Sequence, residues 1–180
     1  MKLMFISDIH GIKNNIDLVL KKFKIENFDK LIILGDLYYM GFNDIDYEKY
    51  DNKYIKDKLN EINDKIICIK GNCDTNIGDT KTNFPIISEL GLINTDNIDM
   101  YITHGHIYNI DNFNRNNCIL IYGHEHIPFI RKKNKSYYIN PGSISLPRGN
   151  FPASYMVYEN KKFTIYDIDN NIIDSINICI

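Results

Sequence analysis

Five short stretches of this chain end alike, and no other feature constrains its fold so tightly. Met1 to Gly11 reads MKLMFISDIHG, an apolar strand-like run entering a turn that carries Asp8 and His10. Four later stretches repeat the ending: Gly35-Asp36, Gly71-Asn72, His104-Gly105-His106 and Gly123-His124-Glu125-His126. All but one follow an apolar, strand-like run directly. Side chains two apart on extended backbone share a side, so Asp8 and His10 are expected to aim a carboxylate and an imidazole at one point. The five histidines are His10, His104, His106, His124 and His126, and every one falls in such an ending. A chain using His for packing or surface hydrogen bonds would scatter some elsewhere.

The order of elements predicts an α/β fold. Lys2 to Ser7 reads as a strand, and Ile16, Val19, Leu20 and Phe23 have the spacing of a helix over about Asn14 to Glu26 that covers a sheet. Leu31 to Leu34 supplies a second strand, and its ligand-type residue again emerges at the carboxyl end, where parallel α/β sheets collect binding sites. Tyr47, Tyr50, Tyr54, Ile55 and Leu59 suggest a further helix with an aromatic stripe on the core, and Tyr38 and Tyr39 are candidates for one wall of a pocket. Ile66 to Ile69 is a buried-type strand ending at Gly71-Asn72-Cys73-Asp74, and Thr75 to Asn83 reads as a surface loop beside the site.

After Pro85 the texture is that of an all-β protein. Short strands are expected at Ile86-Ile87, Asp99 to Thr103 and Cys118 to Tyr122. A hairpin joins Ile127 to Arg131 with Ser136 to Ile139 through Lys132-Lys133-Asn134-Lys135, a basic tip read as a solvated turn. Tyr155 to Tyr158, Lys161 to Ile168 and Ile172 to Ile178 form a closing antiparallel meander. No internal repeat or linker is evident. Residues 1–180 read as one domain of two packed sheets with helices outside.

Composition bounds the partners. A net charge of -2 over 180 residues leaves no strongly basic surface for general nucleic-acid binding. No apolar run approaches ~18 residues, so no membrane span is expected. Four cysteines without a CxxC spacing read as free thiols in a reducing compartment, and with no leader recognised the expected location is cytoplasmic.

Asp8, His10, Asp36, Asn72, His104, His124 and His126 are oxygen and nitrogen ligands that suit hard or borderline divalent ions. Seven are too many for one ion. With Asp36 bridging they divide into two sites of four, and paired ions in such centres lie ~3.5–4 Å apart. Asp8, Asp36 and a bridging hydroxide would cancel three of the four positive charges, leaving the cluster attractive to phosphate. Asn72 matters because it ligates without neutralising.

These five motifs, in this order and over nearly the whole chain, resemble those of the calcineurin-like metallophosphoesterases. The chain's length, the Gly71-Asn72-Cys73-Asp74 form and Asn140-Pro141-Gly142-Ser143 are most similar to the small YfcE-type phosphodiesterase branch. The resemblance implies a four-layer α/β/β/α sandwich with two mixed sheets. It also implies Asp8, His10, Asp36 and His126 on one ion and Asp36, Asn72, His104 and His124 on the other. Mn is the ion most associated with such relatives, with Zn, Fe, Ni or Mg as substitutes, and the implied reaction is hydrolysis of a small phosphodiester by in-line attack of a metal-bridging hydroxide. The alternatives are phosphomonoesterase or nuclease action at the same centre, or a protein-interaction scaffold on this fold. By family analogy a homodimer or homotetramer is expected.

Asp36, Asn72, Cys73 and His106 are the candidate catalytic residues, and Asn72, Ser143 and Arg148 the candidate phosphate contacts. Many larger relatives have His where Cys73 stands. A thiol is a poor general acid, so diesters or substrates with good leaving groups are expected. Ser143 reads equally as part of a Pro-Gly turn. Glu125, between two ligands, is expected to point away from them.

Overall fold

In a computed structural model, described here for residues 1–38, 49–74, 81–87 and 89–178, two mixed sheets pack face to face. The larger sheet is built around β1 (Leu3–Ile6), which is apolar and buried throughout. On one side β1 pairs in parallel with β2 (Lys30–Ile33), followed by β3 (Ile66–Ile69) and the two-residue β4 (Ile86–Ile87). On its other side lies an antiparallel meander of β10 (Ser154–Glu159), β11 (Lys162–Asp167) and β12 (Ile172–Asn177). The smaller sheet has the parallel strands β6 (Ile98–Thr103), β7 (Ile119–Tyr122) and β9 (Ser136–Pro141) at its centre. β5 (Leu90–Thr95) and β8 (Pro128–Lys133) flank them antiparallel.

Strand alternation distributes the core into three layers. Leu3 and Phe5 face inward with Ile32, Leu34 and Ile69 and meet Ile102, Ile121 and Ile139 of the smaller sheet. Met4 and Ile6 face outward, where α1 (Ile16–Ile25) covers them with Val19, Leu20 and Phe23, and α2 (Asn52–Asn60) adds Ile55 and Leu59. On the far face of the smaller sheet, Tyr101, Leu120, Tyr122 and Tyr138 are covered by Ile110 and Phe113. That outer covering is made by an irregular segment, with no helix among its residues 104–118. No helix among the described residues is long and apolar enough to cross a membrane.

Both helices begin at residues suited to it. Asp51 accepts the Tyr54 N–H at 2.8 Å, an N-cap bond that closes α2. Asn15 precedes α1 but sends its amide across to the Ile144 carbonyl at 2.6 Å, tying the helix to the loop after β9.

The structure corrects four local expectations. β5 was not anticipated. It is an edge strand with Leu90 and Leu92 exposed, so its apolar pattern is faint, and its signal is the Asp96-Asn97 turn into β6, where both residues have positive φ. Tyr38 is 1% exposed and sits in the core under the helices rather than in a pocket wall. Tyr39, Tyr47 and residues 75–80 of the expected loop lie outside the described residues. Asn140 and Pro141 belong to β9, and the turn comes one residue later, at Gly142. Finally, Asp8 and His10 converge by a different backbone route, described next.

Candidate metal centre

β1, β2, β3, β6 and β7 end at one edge of the sandwich, and the ligand-type residues follow them there. The alternation argument does not produce their geometry. Asp8, His10, Asp36, His124 and His126 all have positive φ, between 50° and 66°, so each occupies the left-handed region rather than extended backbone. For a side-chain-bearing residue this costs roughly 1 kcal/mol or more. Cross-loop hydrogen bonds hold the strained turns in place: Asp8 N–H to Gly35 O at 3.1 Å, His10 N–H to Asp36 O at 2.9 Å and Gly11 N–H to Leu37 O at 2.8 Å. The His124 N–H donates to Asp8 Oδ2 at 3.0 Å and so fixes that carboxylate.

Glycine allows the turns to nest. A Cβ on Gly71 would overlap the Asp36 carboxylate, and one on Gly123 would overlap the Ser7 hydroxyl and approach Asp8 Oδ2 to 2.8 Å. Substitution at either position would push a ligand carboxylate out of place.

The polar atoms meet around Asp36. Its Oδ2 lies 3.6 Å from His10 Nε2 and 3.4 Å from His104 Nε2, between two imidazoles as a bridging oxygen would. Its Oδ1 accepts the Cys73 N–H at 2.8 Å. Asp8 Oδ1 is 3.4 Å from His126 Nε2 and 3.9 Å from His10 Nε2, and is buried without a hydrogen-bond partner among the described residues. Asn72 Oδ1 is 3.0 Å from His104 Nε2, and the His124 ring packs edge-on against His104 at 5.0 Å between centroids. Asp8, His10 and His126 form one ligand group, and Asp8, Asp36 and His104 a second.

A divalent cation fits this arrangement. A buried carboxylate oxygen with no donor is costly unless a cation completes it. Two of the imidazoles are oriented for ligation: His104 Nδ1 bonds the Leu34 carbonyl at 2.7 Å and His126 Nδ1 the Leu146 carbonyl at 2.6 Å. Each Nδ1 therefore carries a proton, so that Nε2, once deprotonated, offers its lone pair to a cation in the cluster.

Electrostatics follow from this packing. Burial alone would raise the Asp36 pKa, but the His104 hydrogen bond and charge, with the Cys73 N–H, hold it well below the usual carboxylate range. Burial opposes protonation of His104 and His126, yet Asp36 and Asp8 override it and raise both. At His10 and His124 burial dominates and the pKa falls. Burial, and then the Asp36 charge, push the Cys73 thiol up to about 12.

All seven expected ligands are thus brought together. Cys73 is half-buried beside them, its sulfur grouped with His10 and Asp36. His106 is exposed on the rim, its ring 5.3 Å from that of His104 and 6.1 Å from that of His124. Arg148 is exposed on the side of His126, whose carbonyl accepts the Arg148 N–H at 3.0 Å. Ser143 differs from expectation. It is fully buried, its hydroxyl donates to the Asp8 carbonyl at 2.8 Å and accepts the N–H groups of Ser145 and Leu146 at 3.1 and 2.8 Å. That hydroxyl shapes the Asp8 turn in place of the expected phosphate contact.

Two supporting residues were given no role by the sequence reading. Asp74, 1% exposed, accepts N–H bonds from Asp36 at 2.9 Å, Leu37 at 2.9 Å and Gly71 at 2.8 Å, clamping two ligand loops together. Asn140, fully buried, donates to Gly123 O at 2.8 Å and accepts the Gly142 N–H at 2.9 Å. The signal for each was its place in a glycine-containing motif.

Residues 1–162 match the family model described as the calcineurin-like phosphoesterase superfamily domain. The chain belongs to that superfamily. It is 34% identical to phosphodiesterase YfcE of Escherichia coli K12, over 99% of this chain and 98% of the relative. The solved structure of E. coli YfcE, described as a phosphoesterase, superposes with a TM-score of 0.91 over 99% of this chain and 100% of that one, at 34% identity. Vps29 of Entamoeba histolytica, solved in complex with Zn2+, shares the fold at 20% identity and a TM-score of 0.62, covering 98% of this chain and 99% of that one. The two-sheet sandwich is therefore that of the calcineurin-like phosphoesterases.

Proposed function

We propose that this calcineurin-like phosphoesterase is a binuclear, metal-dependent phosphodiesterase acting on a small phosphodiester. The observation that carries the reading is the pairing of a buried oxygen without a hydrogen-bond partner among the described residues, Asp8 Oδ1, with an Asp36 oxygen set between His10 and His104. Asp8, His10, Asp36 and His126 would hold one ion, and Asp36, Asn72, His104 and His124 the other. Mn is the first candidate, with Zn, Fe, Ni and Mg as substitutes. Bound there, two divalent ions supply positive charge for the phosphoryl oxygens and an acidified water as the nucleophile for in-line displacement.

The chain's own groups set the rest. Asp36 keeps its charge, because its neighbours hold its pKa down. Asn72 adds an amide oxygen and no charge, leaving net positive charge for the substrate. Arg148, whose backbone is tied to His126, would meet a phosphoryl oxygen, and His106 would line the rim beside His104 and His124. Cys73, with a thiol pKa near 12, is a weak proton donor to a leaving alkoxide, which favours diesters and good leaving groups over alkyl monoesters. The YfcE relative's designation as a phosphodiesterase supports the same choice. Retention of the full ligand set supports catalysis over a purely scaffolding role. Free Cys68, Cys73 and Cys118 support a cytoplasmic location.

A chromogenic phosphodiester assayed with added Mn tests the reading. Asp36→Ala and His124→Ala should each lower turnover about 100-fold or more and reduce the bound metal. Wild-type rates in either variant would refute the ligand assignment.

A further inference from the structure

Cys68, Cys73 and Cys118 are free thiols, and among the described residues only Cys73 stands with ligand-type groups. Cys68 is buried in the core under the helices. Cys118 is buried on the far face of the smaller sheet, where its thiol donates to the Arg115 carbonyl at 3.1 Å. Cys73 is half-buried in the turn after β3, and its sulfur, a His10 ring nitrogen and an Asp36 oxygen all lie within 4.8 Å of one another.

Two contacts hold the sulfur toward the cluster. The Cys73 N–H donates to Asp36 Oδ1 at 2.8 Å and fixes the backbone beside that carboxylate. The Asn72 amide donates to Cys73 Sγ at 3.4 Å while Asn72 Oδ1 lies 3.0 Å from His104 Nε2, so the sulfur adjoins groups assigned to both ions. Neighbouring ligand atoms of one tetrahedral ion, with bonds of about 2.0–2.3 Å, stand roughly 3.3–3.8 Å apart. His10 Nε2 and Asp36 Oδ2 already have that spacing, at 3.6 Å. A closing movement of about 1 Å at Sγ brings the sulfur to it as well. A separate sign of a cation lies on the same imidazole: Asp8 Oδ1, fully buried and without a hydrogen-bond partner among the described residues, is 3.9 Å from His10 Nε2.

Sulfur changes which ion such a group prefers. Thiolate is a soft ligand that selects Zn2+ and its heavier congener Cd2+, and it adds little for the harder Mn2+. We infer that the centre has a thiophilic mode, in which the Cys73 thiolate, His10 and Asp36 together hold Zn2+ or Cd2+, whereas Mn2+ is held without the sulfur. A coordinating thiol is deprotonated outright by the ion, so the metal–sulfur bond forms as the S–H bond breaks and the proton passes to solvent. Because His10 and Asp36 serve both modes, a thiophilic ion displaces Mn2+ from that position. The inference rests on the reading of these residues as a metal centre and is independent of which ester is hydrolysed.

Full-length protein loaded with Mn2+ and challenged with Cd2+ provides the test. Cd2+ should raise a near-ultraviolet thiolate-to-metal charge-transfer band and, in step with it, release Mn2+ that electron paramagnetic resonance detects in solution. Cys73→Ser keeps Cys68, Cys118 and Cys179, and it should show no such band. It should also need at least about tenfold more Cd2+ to release the same Mn2+, while binding Mn2+ itself within about twofold of wild type. No band in the wild type, a band that survives in Cys73→Ser, or the same Cd2+ demand in both proteins would overturn the inference. A Cd2+ band growing in protein that never retained Mn2+ would support it while removing the manganese-dependent reading of the centre.

Discussion

At the scale of single residues, Asp74 shows how much of the centre rests on a group that is not itself an expected ligand. Its two oxygens accept N–H bonds from both sides of the Asp36 and Gly71 turns. Asp74→Asn preserves the shape but turns one acceptor into a donor that faces backbone donors. We expect a loss of about 1–3 kcal/mol in stability, read by urea unfolding. A 10–100-fold weaker metal affinity should accompany it, because the turn carrying Asp36 would no longer be pinned. Titration at the same scale gives metal binding a pH dependence. Burial opposes, but Asp36 and Asp8 more than offset, protonation of His104 and His126, whose pKa values lie above the ordinary 6.5. In the metal-free protein these imidazolium–carboxylate contacts contribute stability fully below about pH 6.5 and lose it as pH rises through the raised folded values. His10 and His124 have lowered values and work in the opposite sense, since their protonation on acidification opposes folding. Ligation needs every imidazole neutral. Apparent metal affinity should therefore climb as pH passes the raised pKa values of His104 and His126, by up to about tenfold per pH unit for each proton released. Calorimetry in buffers of different ionisation enthalpy would count those protons, and a flat profile with no proton release would contradict the assignment.

Elements differ in how openly they declare themselves. α1 follows from Ile16, Val19, Leu20 and Phe23, whose spacing is visible in the chain and whose side chains are all buried. β3 was legible as a continuous apolar run. β5 was not, because an edge strand buries little and its Leu90 and Leu92 point to solvent. The metal-binding turns were legible as residue types but not as conformations. Alternation on extended strands predicted convergence of Asp8 and His10, whereas left-handed turns and cross-loop hydrogen bonds deliver it. At the start of α2, Asp51→Ala should cost about 1 kcal/mol, since the Tyr54 N–H would lose its acceptor. A thermal melt should detect this small destabilisation, while metal content remains at the wild-type level.

For the whole molecule, the centre is a joint between sheets. Asp8, His10, Asp36 and Asn72 come from loops of the larger sheet, and His104, His124 and His126 from loops of the smaller one. Ions held between them should fasten the sandwich at its open edge. Free metal at 100 times its dissociation constant should stabilise the fold by about 2.7 kcal/mol, and a chelator should remove that increment. Differential scanning calorimetry with and without Mn makes the comparison, and identical melting temperatures would show that the folded protein does not hold the ions.

The sequence by itself determined the ligand inventory, the strands that carry most of it and the glycines at the turns, because these are matters of residue type and local spacing. It could not decide that Ser143 is committed to the backbone, that Tyr38 belongs to the core, or that Lys133 of the basic hairpin tip is bound to the covering segment. Those outcomes depend on which groups meet across long sequence separations, as Ser143 does with Asp8 and Lys133 with Ile110. Such meetings are set by the packing of one sheet on the other, where burial and competition for hydrogen-bond partners act on residues far apart in the chain.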